Sequence, residues 1–349
     1  MTRDDSPVLA RSTRMFEESA EAPAAVARQL DRNRALIARL GERIRRLSPL
    51  AVVTGARGSS DNAATFAKYL IETKTATLTS SAGLSVSSVY TAHPKLDGTL
   101  FLAISQSGKS PDLLSAVQTA KDAGAFVVAI VNDEAAPLSS IAHDVIPLHA
   151  GPERSVAATK TFIASLSAIA QLVGAWCNDS ALAESLAALP ASLQRAWSED
   201  WSDMTGALAP ARDMYVVGRG LGFGTAQEAA LKLKETCGLH AEAFSSAEIR
   251  HGPMALVRAG FPVLVFAQDD ETRSGIAELA ASLVGAEASV MTAGISCPGA
   301  TCLPTLATHP VLQPILIAQS FYRAANALAL ARGYDPDRPP LLDKITETM

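Results

Sequence analysis

The stretch TLFLAISQSGKSPDLLSAVQTAKDAG, residues 99–124, decides the fold class of this 349-residue chain. An apolar run leads into a turn rich in serine and glycine, and a segment with few helix breakers follows. This order predicts a buried strand, a turn and a helix. Ser110, Pro111 and Asp112 have the residue types of an N-cap, a first-turn proline and a first-turn acid, so we expect the helix to begin there.

The same unit recurs along the chain, in residues 50–72, 213–235 and 261–285, with further apolar strands in 125–133 and 286–294. Continuous apolar strands that alternate with helices are typical of parallel sheets covered on both faces. Two helical regions without strand candidates, 13–47 and 155–209, flank the first group of units. The sequence therefore predicts an α/β protein with two doubly wound lobes.

The second lobe has the spacing of an internal duplication. Gly58 in ARGSS corresponds to Gly220 in GRGLG (220 − 58 = 162), and Gln106 corresponds to Gln268 at the same offset (268 − 106 = 162). Two anchors at one offset favour two copies of one lobe. We predict N-terminal helices in 1–48, a first lobe with its following helices in 49–209, a second lobe in 210–335 and a tail in 336–349, which carries Lys344.

The two copies differ at the turn of their second strand-turn-helix unit, residues 99–124 in the first copy and 261–285 in the second. Ser105 and Ser107 of the first copy align with Ala267 and Asp269 of the second, and the next residue, Asp270, adds another carboxylate. Paired carboxylates repel an anion, whereas hydroxyls beside a helix start can bind one. We therefore expect an anion site in the first lobe alone.

Hydroxyl groups collect where the strands of the first lobe end. Ser105, Ser107 and Ser110 surround one turn, and Ser59 and Ser60 follow a neighbouring strand. Ligands of open α/β sheets bind beyond the carboxyl ends of the strands, next to helix N-termini. This predicts the phosphate of a small molecule, and a serine-rich turn with ordinary capping is the alternative. The Gly-Lys-Ser/Thr ending of a Walker loop is missing, which argues against an NTPase.

The helix after GRGLGFG carries the candidate acid-base groups. Glu228, Lys232 and Glu235 lie on one helical face, at spacings of four and three. A solvated, salt-bridged face is the alternative. Glycine spacing alone is a weak sign of a dinucleotide fold, and the acidic ribose partner that such a fold needs is not evident, so we expect no nicotinamide cofactor. His251 beside a Gly-Pro turn and Lys344 in the tail are further candidates, with a structural histidine and a solvated terminus as the alternatives.

Composition and cysteine usage predict a cytoplasmic protein. Hydrophobic residues make up 48% of the chain and the formal net charge is -5. Without a basic stripe, we expect no nucleic-acid partner. The four cysteines have neither metal-ligand nor disulfide-framework spacing, so we interpret them as reduced thiols and expect no metal. The N-terminus lacks an apolar signal core, and no run is long enough to span a bilayer.

Five ordered motifs carry a family resemblance: ISQSGKSPD, SVAATKTF, EAALKLKE, HAEAFSSAEIRHGPMAL and DRPPLLDK. Together they resemble the sugar isomerase (SIS) family, specifically the isomerase half of glutamine:fructose-6-phosphate amidotransferase and stand-alone relatives that deaminate glucosamine 6-phosphate. The resemblance implies flavodoxin-like lobes, a tail over the site, and no cofactor. It implies a sugar-phosphate pocket formed by Ser60, Ser105, Gln106, Ser107, Ser110 and the backbone near Val156.

The resemblance also implies catalytic roles. Glu235 would move a proton between C1 and C2 of the sugar, and Lys344 would meet the sugar carbonyl. His251 would assist ring opening, contributed across the interface of a homodimer. Glu228 and Lys232 would hydrogen-bond the sugar and tune the base. A desolvated carboxylate and a lysine amine suit this chemistry on general grounds.

The sequence departs from the amidotransferase pattern at several positions. Arg57 and Asp61 replace a cysteine and a tyrosine, Lys109 replaces a glutamate, and Ala158 replaces a serine. The chain starts with MTRDD and continues into helices, so we expect no glutaminase domain.

We therefore expect deamination of glucosamine 6-phosphate to fructose 6-phosphate. Alternatives are ammonia-dependent synthesis, action on another amino sugar or glycated-amine phosphate, and a sugar-phosphate sensor without enzymatic activity.

Overall fold

The computed structural model describes residues 13–342 and residue 344. The described chain begins with three helices, as the sequence predicts for residues 13–47: α1 (Arg14–Ala20), α2 (Ala22–Arg32) and α3 (Arg34–Leu47). Helices α2 and α3 are amphipathic and bury one face each. On α3 that face consists of Ile37, Leu40 and Ile44, at the spacing of helical turns.

The first lobe is a parallel sheet of five strands in the order β2-β1-β3-β4-β5. The strands are β1 (Val52–Gly55), β2 (Thr79–Ser81), β3 (Leu100–Ser105), β4 (Phe126–Val131) and β5 (Asp144–Pro147). Every residue of β3 is buried, because helices cover both faces of the sheet. These helices are α4 (Ser59–Thr75), α5 (Leu84–Ser88), α6 (Pro111–Asp122) and α7 (Pro137–Ile141).

Three helices connect the lobes: α8 (Lys160–Cys177), α9 (Ser180–Ser198) and α10 (Ser202–Leu208). By length and hydropathy α8 is sufficient to cross a membrane, which differs from the expectation that no run is long enough, yet 83% of its 18 residues are buried inside the fold. It contacts α2, α3, α4 and α9, so its apolar residues form part of the core. A core helix accounts for its composition.

The second lobe repeats the first. Its parallel sheet has the order β10-β9-β8-β6-β7, which is the order of the first sheet read from the other edge. The strands are β6 (Asp213–Gly218), β7 (His240–Ser245), β8 (Pro262–Phe266), β9 (Ser289–Ala293) and β10 (Thr301–Leu303). The helices are α11 (Leu221–Cys237), α12 (Arg273–Gly285) and α13 (Gln313–Ala331), and two 3-10 turns span Glu248–His251 and Pro253–Leu256.

Matching backbone turns confirm the two tandem lobes. Gly58 precedes α4 with φ 54° and ψ -131°, and Gly220 precedes α11 with φ 56° and ψ -127°. A positive φ at both helix starts requires glycine, which explains the first anchor of the duplication. The predicted boundaries at residues 48, 209 and 335 fall between elements and stay predictions.

The core places α4 and α11 against each other between the two sheets. One large apolar cluster runs through α4, α8, α11, α13 and the facing sides of both sheets. Gly224 of α11 lies so close to α4 that an added Cβ would overlap the backbone oxygen of Asn62. The close approach brings side chains from the two lobes together in one place.

Candidate active site

A cleft of about 320 Å³ opens at the carboxyl edge of the first sheet. It lies between the starts of α4 and α6, the second half of α11, and the C-terminal tail. The lining residues are Arg57, Gly58, Ser59, Ser60, Ile104, Ser105, Gln106, Ser107, Ser110, Leu113, Val156, Ala158, Lys232, Glu235, Leu342 and Lys344. The cleft thus contains all six residues of the predicted sugar-phosphate pocket and two of the predicted catalytic groups besides Lys232.

The serine turn has the shape of an anion cradle. The hydroxyl of Ser105 accepts a hydrogen bond from the amide of Gly108 over 3.0 Å, which folds the turn back on the strand end. Gly108 has φ +63°, and a Cβ there would collide with Ala136. Ser110 is the N-cap residue of α6, as predicted, but its hydroxyl makes no capping bond within the described residues. Ser110 and Leu113, at the start of α6, both line the cleft.

The three acid-base residues of α11 form one ion-paired row. Lys232 Nζ lies 2.6 Å from Glu235 Oε2 and 3.3 Å from Glu228 Oε1. The side chains of Glu228 and Lys232 are only 1% exposed, so the alternative of a solvated surface face is wrong. Glu235 is 22% exposed and reaches the cleft. The row therefore extends from the buried Glu228 to Glu235 at the cleft.

Residues of other elements hold the buried end of this row. Glu228 accepts hydrogen bonds from Asn62 Nδ2 over 2.9 Å, from Tyr322 Oη over 2.9 Å and from Ser59 Oγ over 3.2 Å. Lys232 also donates to Ser59 Oγ over 3.0 Å. Ser59 and Asn62 belong to α4 and Tyr322 to α13, so both lobes fix the geometry.

The charges in the row perturb one another. Burial raises the pKa of Glu228, the nearby Glu235 adds to the effect, and Lys232 opposes it. Burial alone lowers the pKa of Lys232, but the two carboxylates raise it above its ordinary value. Lys232 therefore stays protonated and holds Glu235 through a charge-assisted hydrogen bond.

Two carboxylates shape the loop that carries Val156. Glu153 accepts from the amides of Thr159 and Thr161 over 3.0 and 3.1 Å and from the Thr161 hydroxyl. Glu18 of α1 accepts from the amide of Ser155 over 3.0 Å, and burial raises its pKa. These contacts present Val156 to the cleft.

The tail lies over the cleft, where Leu342 and Lys344 contribute to the lining. Lys344 Nζ is 3.5 Å from Glu153 Oε2, and the Glu153 side chain is fully buried. The amine is thus held at the rim by a carboxylate from the Val156 loop.

Glu228 and His251 are the two predicted catalytic residues that do not line the cleft among the described residues. Glu228 is 1% exposed and contacts Lys232 from the core side, so from this position it does not reach the sugar that it was expected to hydrogen-bond. His251 is the other, and this chain does not bring it to its own cleft. It ends the 3-10 turn Glu248–His251, is exposed, and is absent from the cleft lining. Its predicted role, across the interface of a homodimer, stays a prediction.

The corresponding edge of the second lobe is filled by its own side chains. Gln268 Nε2 donates to the Arg219 carbonyl, to Asp270 and to Thr272, each over 2.9 Å. Asp270 in turn accepts from the Thr272 amide. These contacts occupy the turn that the serines leave open in the first lobe.

Sequence reasoning gave no direct role in the site to five residues: Glu18, Arg57, Asn62, Glu153 and Tyr322. It placed Ser59 among the hydroxyls of the sheet edge, without the contacts that Ser59 makes with Glu228 and Lys232. Ser59 and Asn62 follow Gly58 at the start of a helix, and this position could have indicated them. Nothing local to Tyr322 or Glu153 marks them, since their partners are distant in sequence.

Comparison with known proteins matches the SIS domain model to residues 51–175 and 207–298, well over half of the chain. The chain belongs to the SIS (sugar isomerase) family. The two matched segments correspond to the two lobes, and the family fold of tandem parallel sheets is the one described above.

Similar proteins of known name support this assignment. The solved structure of a "putative phosphosugar isomerase" from Silicibacter pomeroyi DSS-3 is 42% identical to this chain, with a TM-score of 0.90 over 93% of this chain and 100% of that one. The C-terminal domain of glucosamine-fructose-6-phosphate aminotransferase from Francisella tularensis, 24% identical, shares the fold with a TM-score of 0.84, over 97% and 100% of the two chains.

Among curated relatives, glutamine--fructose-6-phosphate aminotransferase [isomerizing] of Mycolicibacterium smegmatis (strain ATCC 700084 / mc(2)155) is 34% identical over 361 residues, which cover 95% of this chain and 56% of the relative. The enzyme of the same name from Aeropyrum pernix is 38% identical over 277 residues, 73% of this chain and 44% of the relative. The SIS chain therefore spans about half the length of the curated relatives that it matches.

Proposed function

We propose that this SIS protein isomerises an amino sugar phosphate and deaminates it, converting glucosamine 6-phosphate and water to fructose 6-phosphate and ammonia. The observation that carries the proposal is the joint placement of four phosphate-binding serines, Glu235 and Lys344 around one cleft. A phosphate binder, a base and an amine are the groups that this reaction needs.

The phosphate handle supplies binding energy away from the reacting carbons. Hydroxyls of Ser60, Ser105, Ser107 and Ser110, with the start of α6, would hold the phosphate. Gln106 and the backbone near Val156 would contact the sugar. Such remote binding orients C1 and C2 toward Glu235 without taking part in the chemistry.

Glu235 would be the base. In the open-chain aldose it removes the proton from C2 and returns it to C1, which converts the aldehyde and amine to an alcohol and a C2 imine. Water then adds to C2 and ammonia leaves, so that the ketose remains. Lys232, fixed by Glu228, holds the Glu235 carboxylate in place.

Lys344 and His251 would complete the set. The Lys344 amine would meet the sugar at C2. On this route the neutral amine adds to the C2 imine, ammonia leaves as the Lys344 iminium forms, and water then hydrolyses the iminium to the ketone and frees the lysine. His251 of a second subunit would assist ring opening as a proton donor and acceptor. The protein would be a cytoplasmic homodimer without a metal or cofactor.

A second candidate is amination of fructose 6-phosphate in the reverse direction. The names of the curated relatives favour it, since they are isomerising aminotransferases. Deamination is favoured by access to solvent: Glu235 and Lys344 are 22% and 25% exposed, so water can reach an imine held there. Another amino sugar or a glycated-amine phosphate would use the same groups.

The test supplies glucosamine 6-phosphate alone and measures ammonia and fructose 6-phosphate, with fructose 6-phosphate plus ammonia, or plus glutamine, in parallel reactions. We expect release of ammonia that Glu235→Gln abolishes and that Glu278→Gln, an exposed glutamate of α12, leaves intact. Amination in the parallel reactions without any release would favour the aminotransferase. Binding of the sugar phosphate without turnover would indicate a sensor instead.

A further inference from the structure

Arg57 occupies a distinctive position at the proposed phosphate cradle. It lies two residues after the end of β1, lines the cleft beside Ser59 and Ser60, and its side chain is 54% exposed. Strand β1 pairs with β3, whose end carries Ser105. The arginine thus stands at the same sheet edge as the serine turn.

The guanidinium is oriented by a buried carboxylate. Arg57 Nε and Nη2 donate to Asp112 Oδ2 over 2.8 and 2.6 Å. The Asp112 side chain is 1% exposed, and Asp61 also faces the Arg57 charge. Within the described residues Nη1 has no acceptor. Asp112 therefore holds the Nε and Nη2 edge of the guanidinium, while Nη1 can donate to a ligand.

The charge of Asp112 gives this arginine a second effect on anion binding. It lies in the first turn of α6, the helix whose start would receive the phosphate. A buried carboxylate there repels a phosphate dianion and opposes the helix dipole's attraction for it. Arg57 neutralises Asp112, and its open Nη1 supplies a charge-assisted donor at the cradle.

The geometry points to Arg57 as a direct ligand of the substrate phosphate, held in place by Asp112, so that the cleft selects sugars with a dianionic headgroup. This inference rests on the proposed function for the location of the phosphate, and it adds a residue to a cradle otherwise built from hydroxyls and amides.

The test measures binding by calorimetry, with glucitol 6-phosphate as the probe. This acyclic polyol phosphate lacks a carbonyl, so its binding does not depend on turnover. Loss of one charge-assisted hydrogen bond predicts that Arg57→Gln weakens binding at least about tenfold. The matched control is Arg219→Gln, because Arg219 is the exposed counterpart of Arg57 in the lobe whose turn is filled. We expect this control to bind like the unmodified protein.

A double variant separates direct binding from neutralisation. If Arg57 contacts the phosphate, Arg57→Gln combined with Asp112→Asn stays weaker than the unmodified protein. Recovery of full affinity in the double variant would mean that Arg57 only neutralises Asp112 and would overturn the inference.

Inorganic phosphate and neutral glucitol complete the comparison. Inorganic phosphate is expected to compete with the probe and to lose affinity in Arg57→Gln as well, whereas glucitol itself is not expected to compete. Unchanged binding in Arg57→Gln would overturn the inference and leave the proposed function standing. No binding of glucitol 6-phosphate to the unmodified protein would overturn both.

Discussion

The hydroxyl of Tyr322 donates a hydrogen bond to Glu228 over 2.9 Å, and this contact joins residues 94 positions apart in the buried centre of the protein. Burial raises the pKa of Tyr322 well above its ordinary value, and the Glu228 charge adds to that shift. The tyrosine therefore stays a donor. It completes a set of four donors around a carboxylate that has no access to water.

Tyr322→Phe removes one donor from this buried carboxylate. We expect a loss of about 1–3 kcal/mol in the free energy of unfolding, measured with urea, because an underpaired buried charge is costly. We also expect a lower kcat, since Glu228 helps to hold Lys232 and Glu235. Tyr69→Phe is the control and should change neither quantity. An unaltered kcat in Tyr322→Phe would contradict a role for Glu228 in positioning the catalytic residues.

Glu153→Gln tests how the Val156 loop and the tail are held. A glutamine has one acceptor oxygen, while the carboxylate serves the amides of Thr159 and Thr161 and the amine of Lys344. We expect a higher KM for the sugar phosphate and a stability loss of about 1–3 kcal/mol.

Lys344→Met provides the comparison for Glu153→Gln. Lys344 is partly exposed, and the buried Glu153 keeps its donors from Thr159 and Thr161 when the amine is removed, so we expect a loss of about 1 kcal/mol in stability. If the amine acts on the sugar, this variant should therefore have a nearly unchanged melting temperature and a lower kcat. Equal stability losses in the two variants would show that Lys344 mainly supports the loop.

Gly224→Ala is expected to separate α4 from α11. The new Cβ would overlap the Asn62 carbonyl and lie 3.1 Å from the amide nitrogen of Phe66. Overpacking of this kind costs about 1–3 kcal/mol, and the shift would also move Ser59 and Asn62 away from Glu228. Both the melting temperature and kcat should fall.

The control for that substitution is Gly206→Ala, in α10. Nothing lies within 4 Å of its added Cβ, so helix propensity alone predicts a gain of up to about 1 kcal/mol. Retention of full activity in Gly224→Ala would contradict the view that contact between the lobes aligns the ion-paired row.

We expect the buried thiol of Cys237 to make the protein less stable at alkaline pH. Burial raises the pKa of its thiol from 9.0 to about 11. Because the unfolded chain releases this proton first, the thiol's contribution is present below pH 9 and is lost as pH rises toward 11. At pH 10.5 the loss should be about 2 kcal/mol, from the size of the shift.

The measurement compares urea unfolding of the unmodified protein and Cys237→Ala at pH 8 and pH 10.5. The difference in the free energy of unfolding between the two proteins should be smaller at pH 10.5 than at pH 8. For Cys302→Ala the difference in the free energy of unfolding should change with pH in the opposite direction, because backbone and side-chain hydrogen bonds lower the pKa of that exposed thiol. A constant difference for Cys237→Ala would contradict a buried, neutral thiol.

Some strands could not be read from local pattern. The apolar runs predict β1, β3, β4, β6, β8 and β9, and all six are present. The prediction omits β2, β5, β7 and β10. Each sheet places two of these strands outside the central three. They are short or only partly buried, so they lack a continuous apolar run.

Local sequence determined the repeated strand-turn-helix units, the serine turn and the row on α11, because strand burial, turn formation and helix spacing depend on neighbours along the chain. Only the tertiary structure decided that Glu228 and Lys232 are buried, that Tyr322 and Asn62 hold them, and that Asp112 fixes Arg57. Those contacts join residues that are 55 to 166 positions apart. The packing of the two lobes creates these contacts. The hydrophobic periodicity of one segment does not indicate which distant side chain will hydrogen-bond to a buried polar group of that segment.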